Sequence, residues 1–267
     1  MVENVTFSVF TKPWKNLPLP QLGEWVNYLG FDGIEFPLRP GYQVEPEDVE
    51  DLPRAARVLG GAGVRILSVA GPTDEATIAA CAEAGIPTIR VMARFREGES
   101  YLEAEARLQR EYDALLPLLA RYGVRLGVQN HCGRFVANAV GLRRLVGKYD
   151  PRHVAVVWDA AHEALEGGEP DLALDVVWSR LCMVNLKNAF WRRTNGPEAD
   201  YARWSVYWTS GRQGLASWPR VVGELRARRY AGVVCLTAEY SDHDAVNRLI
   251  AEDIAFARTL FEASANE

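Results

Sequence analysis

Short apolar runs alternate along the chain with longer segments in which apolar residues recur at helical spacing. Eight of these runs, each four to six residues long, are nearly continuous in apolar or β-branched residues. Runs of this kind are typical of parallel strands that are buried on both faces of a sheet. The predicted strands cover residues 5–10, 33–36, 64–69, 88–92, 124–128, 154–158, 181–186 and 233–236.

The segments between the runs predict amphipathic helices. One apolar stripe covers residues 108–122, and another covers residues 246–261 near the end of the chain. A third helix is predicted from residue 218, with Ser217 as its N-cap and Pro219 in its first turn. Eight strand–helix units joined by right-handed crossovers predict a (β/α)8 TIM barrel.

An open, doubly wound sheet is the alternative architecture. It would usually place a glycine-rich phosphate loop after the first strand, but the chain there reads TKPWKNLPLP, without a GxGxxG pattern. Because a P-loop motif is also missing, we expect no nucleotide cofactor. No linker or low-complexity stretch divides the chain, so a single domain is expected over residues 1–267. The longest irregular segment is predicted at about residues 189–217, and a loop of that length is usually functional.

Composition narrows the class of protein. Hydrophobic residues make up 48% of the chain and charged residues 24%, which is typical of soluble globular proteins. The net charge of −5 argues against a nucleic-acid partner. No apolar stretch approaches the length of about 18 residues that a transmembrane helix requires, and the first residues lack the pattern of a signal peptide. We therefore expect a cytoplasmic protein without a membrane partner.

Polar residues follow several predicted strands at the point where each strand ends. They are Glu35 at the end of the second strand, Gln129, Asn130 and His131 after the fifth, Asp159 and His162 after the sixth, Asn185, Lys187 and Asn188 at the seventh, and Glu239 after the eighth. In a TIM barrel these positions converge on the mouth, where the βα loops build the active site. Any one of them could instead be a helix cap or a loop hydrogen bond, but the whole set favours a functional site.

Six short motifs together resemble the xylose isomerase-like TIM barrels. The motifs are GIEFP (33–37), VQNHCGR (128–134), VWDAAH (157–162), VNLKN (184–188), GLASWPRVV (214–222) and LTAEYSD (236–242). Each is short, but their order and spacing extend the resemblance from the first strand to the closing helix. That family includes sugar and sugar-phosphate isomerases and epimerases, hydroxypyruvate isomerases and, more distantly, endonuclease IV.

The resemblance implies a divalent metal ion held by four side chains. The family's ligands are a Glu, an Asp, a His and a Glu, and the matching positions here are Gln129, Asp159, Asn185 and Glu239. Two ligands are therefore replaced by neutral amides. A set of two carboxylates and two amides favours a hard ion such as Mg²⁺, or Mn²⁺ or Ca²⁺, over Zn²⁺ and binds it more weakly. Loss of the metal is an equal alternative.

The resemblance also implies proton transfer next to a carbonyl group, with two glutamates acting as base and acid. Gln129 cannot titrate, so Glu239 remains as a single base and Asp159 as a metal ligand or an electrostatic anchor. Lys187 is a candidate to stabilise an enolate oxygen or a phosphate, or else to form an internal ion pair. His162 matches a substrate-hydroxyl contact of the family, the alternative being a partner that fixes Asp159.

Further substrate contacts are predicted around the mouth. His131 and Glu35 follow strands, Trp191 and Arg192 begin the long aromatic loop, and Trp14 follows the first strand. Aromatic and arginine side chains there could stack on sugar faces and bind a carboxylate or phosphate. The alternative for the loop is a packed lid or a subunit interface of a homo-oligomer.

These residues favour a sugar or sugar-phosphate isomerase or epimerase in carbohydrate metabolism, or a related lyase or dehydratase, acting on a small molecule. The alternative, from a different class, is a barrel that has lost catalysis and binds a sugar-like ligand or a partner protein. Endonuclease IV-like activity is disfavoured, because it needs many histidine and carboxylate ligands and the chain has four histidines.

Overall fold

The eight apolar runs form a closed barrel of parallel strands in the computed structural model, which describes residues 5–263. The barrel strands are β1 (Thr6–Phe10), β2 (Gly33–Pro37), β3 (Arg65–Ala70), β4 (Thr88–Met92), β5 (Arg125–Gln129), β6 (Val154–Asp159), β7 (Leu181–Leu186) and β10 (Val233–Leu236). Strands β1 to β7 pair in sequence order, and β10 closes the ring between β7 and β1. The predicted TIM barrel is confirmed. Residues 1–4 and 264–267 lie outside the described residues. They are the two ends of the expected domain, and residues 1–4 also belong to the segment that lacks a signal-peptide pattern.

Nine helices occur within residues 5–263. They are α1 (Leu19–Tyr28), α2 (Leu52–Gly61), α3 (Glu75–Glu83), α4 (Tyr101–Tyr122), α5 (Ala139–Val146), α6 (Ala160–Leu165), α7 (Pro170–Val177), α8 (Trp218–Ala227) and α9 (Val246–Glu262). The two predicted apolar stripes lie in α4 and α9, and Leu108 and Leu119 of α4 are buried. None of these helices has both the length and the apolar content that crossing a membrane requires.

The predicted N-cap position of α8 is confirmed, but the expected capping hydrogen bond is not formed. Ser217 does occupy the N-cap position, but its side chain makes no capping hydrogen bond. An N-cap side chain accepts from the backbone N–H of the second or third helical residue, and here the second residue is Pro219, which has no N–H to donate.

The segment predicted as an irregular loop contains an antiparallel hairpin, so that expectation is corrected. Strands β8 (Asn188–Arg193) and β9 (Trp204–Thr209) pair along their whole length, from Asn188 opposite Thr209 to Arg193 opposite Trp204. Aromatic residues, which favour strands, occur in both segments, and β9 adds the β-branched Val206 and Thr209. Its inner side packs on α6, where Val206 and Trp208 contact a small apolar cluster.

The Asn188 side chain fastens the base of this hairpin. Its Oδ1 accepts from the backbone N–H groups of Ala189 and Ala216 at 3.0 and 2.9 Å, and its Nδ2 donates to the carbonyls of Gly211 and Ala216 at 2.9 and 2.8 Å. The hairpin is therefore tied to the segment that leads into α8.

Candidate active site

A cavity of about 100 Å³ opens at the carboxyl ends of the barrel strands. Its wall combines aromatic, amide, imidazole and charged side chains from several strand ends. The lining residues are Phe10, Lys12, Arg39, Arg90, Met92, Gln129, His131, His162, Asn185, Lys187, Thr237 and Glu239. Six of the residues predicted from the sequence therefore meet in one place, as the geometry of a TIM barrel requires.

An ion pair between Lys187 and Glu239 occupies one side of the cavity. Lys187 Nζ lies 2.6 Å from Glu239 Oε2, and Lys12 Nζ lies 3.2 Å from Oε1. Burial acts to raise the pKa of the Glu239 carboxyl, but the charges of the two lysines outweigh it and lower the pKa to about 2. Lys187 Nζ also lies 3.5 Å from the centroid of the Trp208 ring, on the hairpin. Glu239 is thus ionised and held between two ammonium groups.

Asp159 lies fully buried at the end of β6, behind the cavity wall. Its Oδ1 caps α6 by accepting from the backbone N–H groups of Ala161 at 3.0 Å and His162 at 3.1 Å. Its Oδ2 accepts from Gln129 Nε2 at 2.9 Å and from Asn185 Nδ2 at 3.4 Å. Burial raises the pKa of this carboxyl. Both of its oxygens are already used by N–H donors.

The rings of His131 and His162 are in contact, with centroids 4.0 Å apart and planes tilted by 33°. His131 Nδ1 lies 2.8 Å from the Cys132 carbonyl oxygen, so Nδ1 carries the proton and Nε2 keeps a lone pair. His162 Nδ1 accepts from the Cys132 N–H at 3.2 Å, so its Nε2 carries the proton. Burial lowers the pKa of both rings, which keeps them neutral.

The other predicted contacts lie outside the cavity wall. Glu35 is buried beneath Arg90, whose Nε and Nη2 donate to its carboxylate at 3.0 and 2.7 Å, so Arg90 rather than Glu35 reaches the cavity. Trp14 donates to Asn247 Oδ1 at 2.8 Å. On the hairpin, Trp191 donates to the Leu165 carbonyl at 3.0 Å, and the Arg192 guanidinium lies 4.5 Å from the Tyr207 ring centroid. Lys12, close to Trp14 in the segment after β1, does line the cavity, and Trp208 of the hairpin contacts Lys187.

Sequence reasoning missed two arginines of the wall. Arg90 stands between Ile89 and Val91 in β4, and a single charged residue inside an apolar strand was a signal that the position faces the barrel interior. Arg39 lies two residues beyond β2, where a search extended past the strand ends would have found it.

The four positions that match the family's metal ligands do not fit a divalent ion as they are arranged. Gln129 Oε1 and Asn185 Oδ1 are buried without a hydrogen-bond partner among residues 5–263, so both could accept a ligand. The carboxylates of Asp159 and Glu239 are fully engaged, however, and the Lys187 ammonium already pairs with Glu239. The Lys187 ammonium thus places a positive charge beside Glu239.

A second cluster of possible metal ligands lies beside the cavity. Ligand atoms of His131, Cys132 and His162 lie within 4.8 Å of one another. Burial raises the pKa of the Cys132 thiol, and both Nδ1 atoms are occupied by hydrogen bonds to the Cys132 backbone. A thiolate ligand is therefore disfavoured here.

A larger cavity, of about 160 Å³, lies outside the barrel between α6, α7 and α8. Glu163, Gly168 and Arg220 are among its lining residues, and none of the strand-end residues of the barrel mouth reaches it. Size alone therefore does not select the active site, and the convergence of polar groups at the mouth does.

Comparison with solved structures finds the same architecture in several proteins. One is the probable 3-DHS dehydratase AsbF of Bacillus anthracis, at 14% identity and a TM-score of 0.73 over 97% of this chain and 100% of that one. Another is 3-keto-D-glucoside 4-epimerase, YcjR, of E. coli, at 16% identity and a TM-score of 0.72 over 96% of this chain and 100% of that one. A third is the D-psicose 3-epimerase of Clostridium cellulolyticum H10, at 13% identity and a TM-score of 0.71 over 97% of this chain and 100% of that one. At such low identity these likenesses show the fold alone.

Sequence comparison gives two further results. No protein with a curated description matches the chain significantly. The family model described as the xylose isomerase-like TIM barrel matches residues 24–260, which is most of the chain. The chain belongs to the xylose isomerase-like TIM barrel family.

Proposed function

We propose that this protein is an enzyme that moves a proton at a carbon beside the carbonyl group of a small sugar-like molecule. Similar structures include two sugar epimerases and a probable dehydratase, whose names are consistent with such chemistry. A shared fold does not fix a reaction, so the argument depends on the cavity. The observation that carries it is the Lys187 ammonium, 2.6 Å from Glu239, in a cavity that also holds two neutral histidines.

Unpaired polar atoms in the wall suit a ligand with several hydroxyl groups. Gln129 Oε1 and Asn185 Oδ1 are acceptors without a donor, and His162 Nε2 is a donor without an acceptor among residues 5–263. A buried polar group without a partner costs about 1–3 kcal/mol, which a bound hydroxyl group would recover. Sugar hydroxyls can both donate and accept, so one ligand can satisfy all three atoms.

Lys187 is the group that stabilises negative charge in this proposal. Removal of a proton beside a carbonyl places negative charge on the carbonyl oxygen, and a fixed cation lowers the energy of that enolate. Glu239 and the Trp208 ring hold the ammonium in position. The charge needed for the reaction is therefore available from the chain itself.

His131 is the base in this proposal, in place of Glu239. Each Glu239 oxygen is held by a lysine ammonium, which leaves it a poor proton acceptor. His131 lines the cavity, and its hydrogen bond to the Cys132 carbonyl leaves Nε2 with an available lone pair. A neutral imidazole is well suited to take and return a proton near neutral pH.

Deuterium exchange tests the proposal. The protein is incubated in D2O with a panel of ketoses, aldoses and hydroxy or keto sugar acids, and NMR follows loss of the C–H signal beside the carbonyl. We expect exchange with at least one class, and a fall of roughly 100-fold in the variants Lys187→Met and His131→Gln. Lys148→Met and His153→Gln are matched controls, because both residues lie outside the cavity wall.

The competing function is a barrel that binds such a ligand without turning it over. The full engagement of both carboxylates favours it. Saturable binding without exchange across the panel would establish this alternative and refute the proposed reaction.

A further inference from the structure

Positive charge exceeds negative charge around the active-site cavity. Four cations line it, Lys12, Arg39, Arg90 and Lys187, and Glu239 is the one carboxylate in the wall as described. Behind the wall lie two buried carboxylates, Glu35 and Asp159. Even with both of these ionised, four cations face three carboxylates, so the site retains a positive charge.

Arg39 is the cation without a partner. Glu35 neutralises Arg90, and Glu239 is shared by Lys12 and Lys187, whereas no carboxylate lies within 4.0 Å of Arg39 among residues 5–263. Its guanidinium also makes no hydrogen bond within that part of the chain. Arg39 is half-buried, so its charge is only partly solvated.

The surroundings of Arg39 direct its charge into the cavity. Its guanidinium carbon lies 5.5 Å from the Phe10 ring centroid, and that of Arg90 lies 5.0 Å from the same ring. The Tyr42 hydroxyl donates to the Lys12 carbonyl at 3.4 Å, which links the turn after β1 to the segment that follows Arg39. Glu35 neutralises Arg90 but not Arg39, so the charge of Arg39, partly buried beside a second guanidinium, is unfavourable until an anion binds.

We propose that Arg39, together with Lys12, binds a carboxylate or phosphate group of the ligand, so that the protein acts on acidic sugar derivatives rather than neutral sugars. The planar fork of a guanidinium pairs with both oxygens of such a group. That the protein acts on such a ligand rests on the proposed function, but the binding of the anion does not.

Calorimetric titration at low ionic strength tests this inference with ligands that share one carbon skeleton. D-glucose is the neutral probe, D-gluconate carries a carboxylate and D-glucose 6-phosphate carries a phosphate; inorganic phosphate is the minimal anion. We expect at least one anion to bind about tenfold or more tightly than D-glucose. Whether gluconate or the phosphate ester binds better identifies the source of the anionic group.

Variants assign the effect to residues. Arg39→Met and Lys12→Met should each remove most of the preference for the anion, and Arg57→Met should not, because Arg57 is exposed on α2, outside the cavity wall. Circular dichroism checks that each variant is folded. The inference is overturned if no anion binds more tightly than D-glucose, or if both cavity variants keep the preference. Since binding needs no turnover, failure of proton exchange with an intact anion preference would refute only the proposed reaction.

Discussion

Glu163 is a buried carboxylate at the start of α6 whose protonation is coupled to folding. Its Oε2 accepts from the Ala139 N–H at 2.8 Å and from Trp158 Nε1 at 3.1 Å. Burial raises the pKa of this carboxyl to about 7, and the two hydrogen bonds only partly oppose that effect. The folded protein therefore holds this proton at pH values where the unfolded chain has released it.

The sign of the resulting pH dependence follows from linkage. A raised pKa contributes stability that is fully present below the unfolded value of about 4.3 and is lost as the pH rises through 7. Over that window the free energy of unfolding should fall by on the order of 3 kcal/mol because of Glu163. Glu163→Gln should remove this fall. Urea unfolding at pH 5 and pH 8 measures the free energy of unfolding of each variant, and Glu97→Gln, at an exposed position, is the control. If the free energy of unfolding of Glu163→Gln depends on pH as that of the wild type does, the role assigned to Glu163 is wrong.

The hairpin formed by β8 and β9 is the element that brings Trp208 to Lys187. Its base closes around Gly214, where a Cβ would fall inside contact distance of Asn188 Oδ1 and 2.7 Å from the Ala189 nitrogen. The backbone approaches so closely there that only glycine fits without a shift. The backbone N–H of Trp208 also donates to Ser241 Oγ at 2.9 Å, which joins the hairpin to the segment after β10.

Gly214→Ala should therefore destabilise the protein by about 1–3 kcal/mol, because the added methyl group forces Asn188 and the hairpin base apart. Gly196→Ala is the matched control, since a Cβ at Gly196 meets nothing within 4 Å. The two variants are compared by their melting temperatures and by the rate at which trypsin cleaves them at Arg192 and Arg193. Equal melting temperatures and cleavage rates would show that the hairpin base is not tightly packed.

The elements of the barrel were predictable because strands buried on both faces are continuous apolar runs, as in VAVVWD at residues 154–159. The hairpin was not, because neither of its strands is a continuous apolar run: NAFWRR at residues 188–193 ends in two arginines, and WSVYWT at residues 204–209 contains polar residues. Strand-end rules found Lys187 and Glu239 because the backbone of a barrel fixes where such residues meet. They misplaced Trp14, because loop geometry decides where a residue beyond the strand points.

At the scale of the whole molecule, the two ends of the chain complete one barrel. Thr6 in β1 pairs with Val233 in β10, and the ring of Phe7 packs against Phe261 of α9 at a centroid distance of 5.6 Å. The segments at either end therefore depend on each other for burial. We propose that the chain is one domain.

Because the first strand packs against the last strand and helix, we expect the secondary and tertiary structure of this domain to be lost together. Far-ultraviolet circular dichroism and tryptophan fluorescence, followed together through a urea titration, should give coincident curves. Two separated transitions would show that part of the chain folds independently.

We propose that the Lys187 ammonium, 2.6 Å from Glu239, supplies to this reaction the positive charge that a divalent ion would otherwise supply. The most direct measurement is the rate of deuterium exchange on a responsive substrate, before and after exhaustive treatment with EDTA and with Mn²⁺ restored, in wild type and in Lys187→Met. The account predicts a wild-type rate that neither treatment changes and a rate lost in the variant. A wild-type rate that falls with EDTA and returns with Mn²⁺ would contradict it.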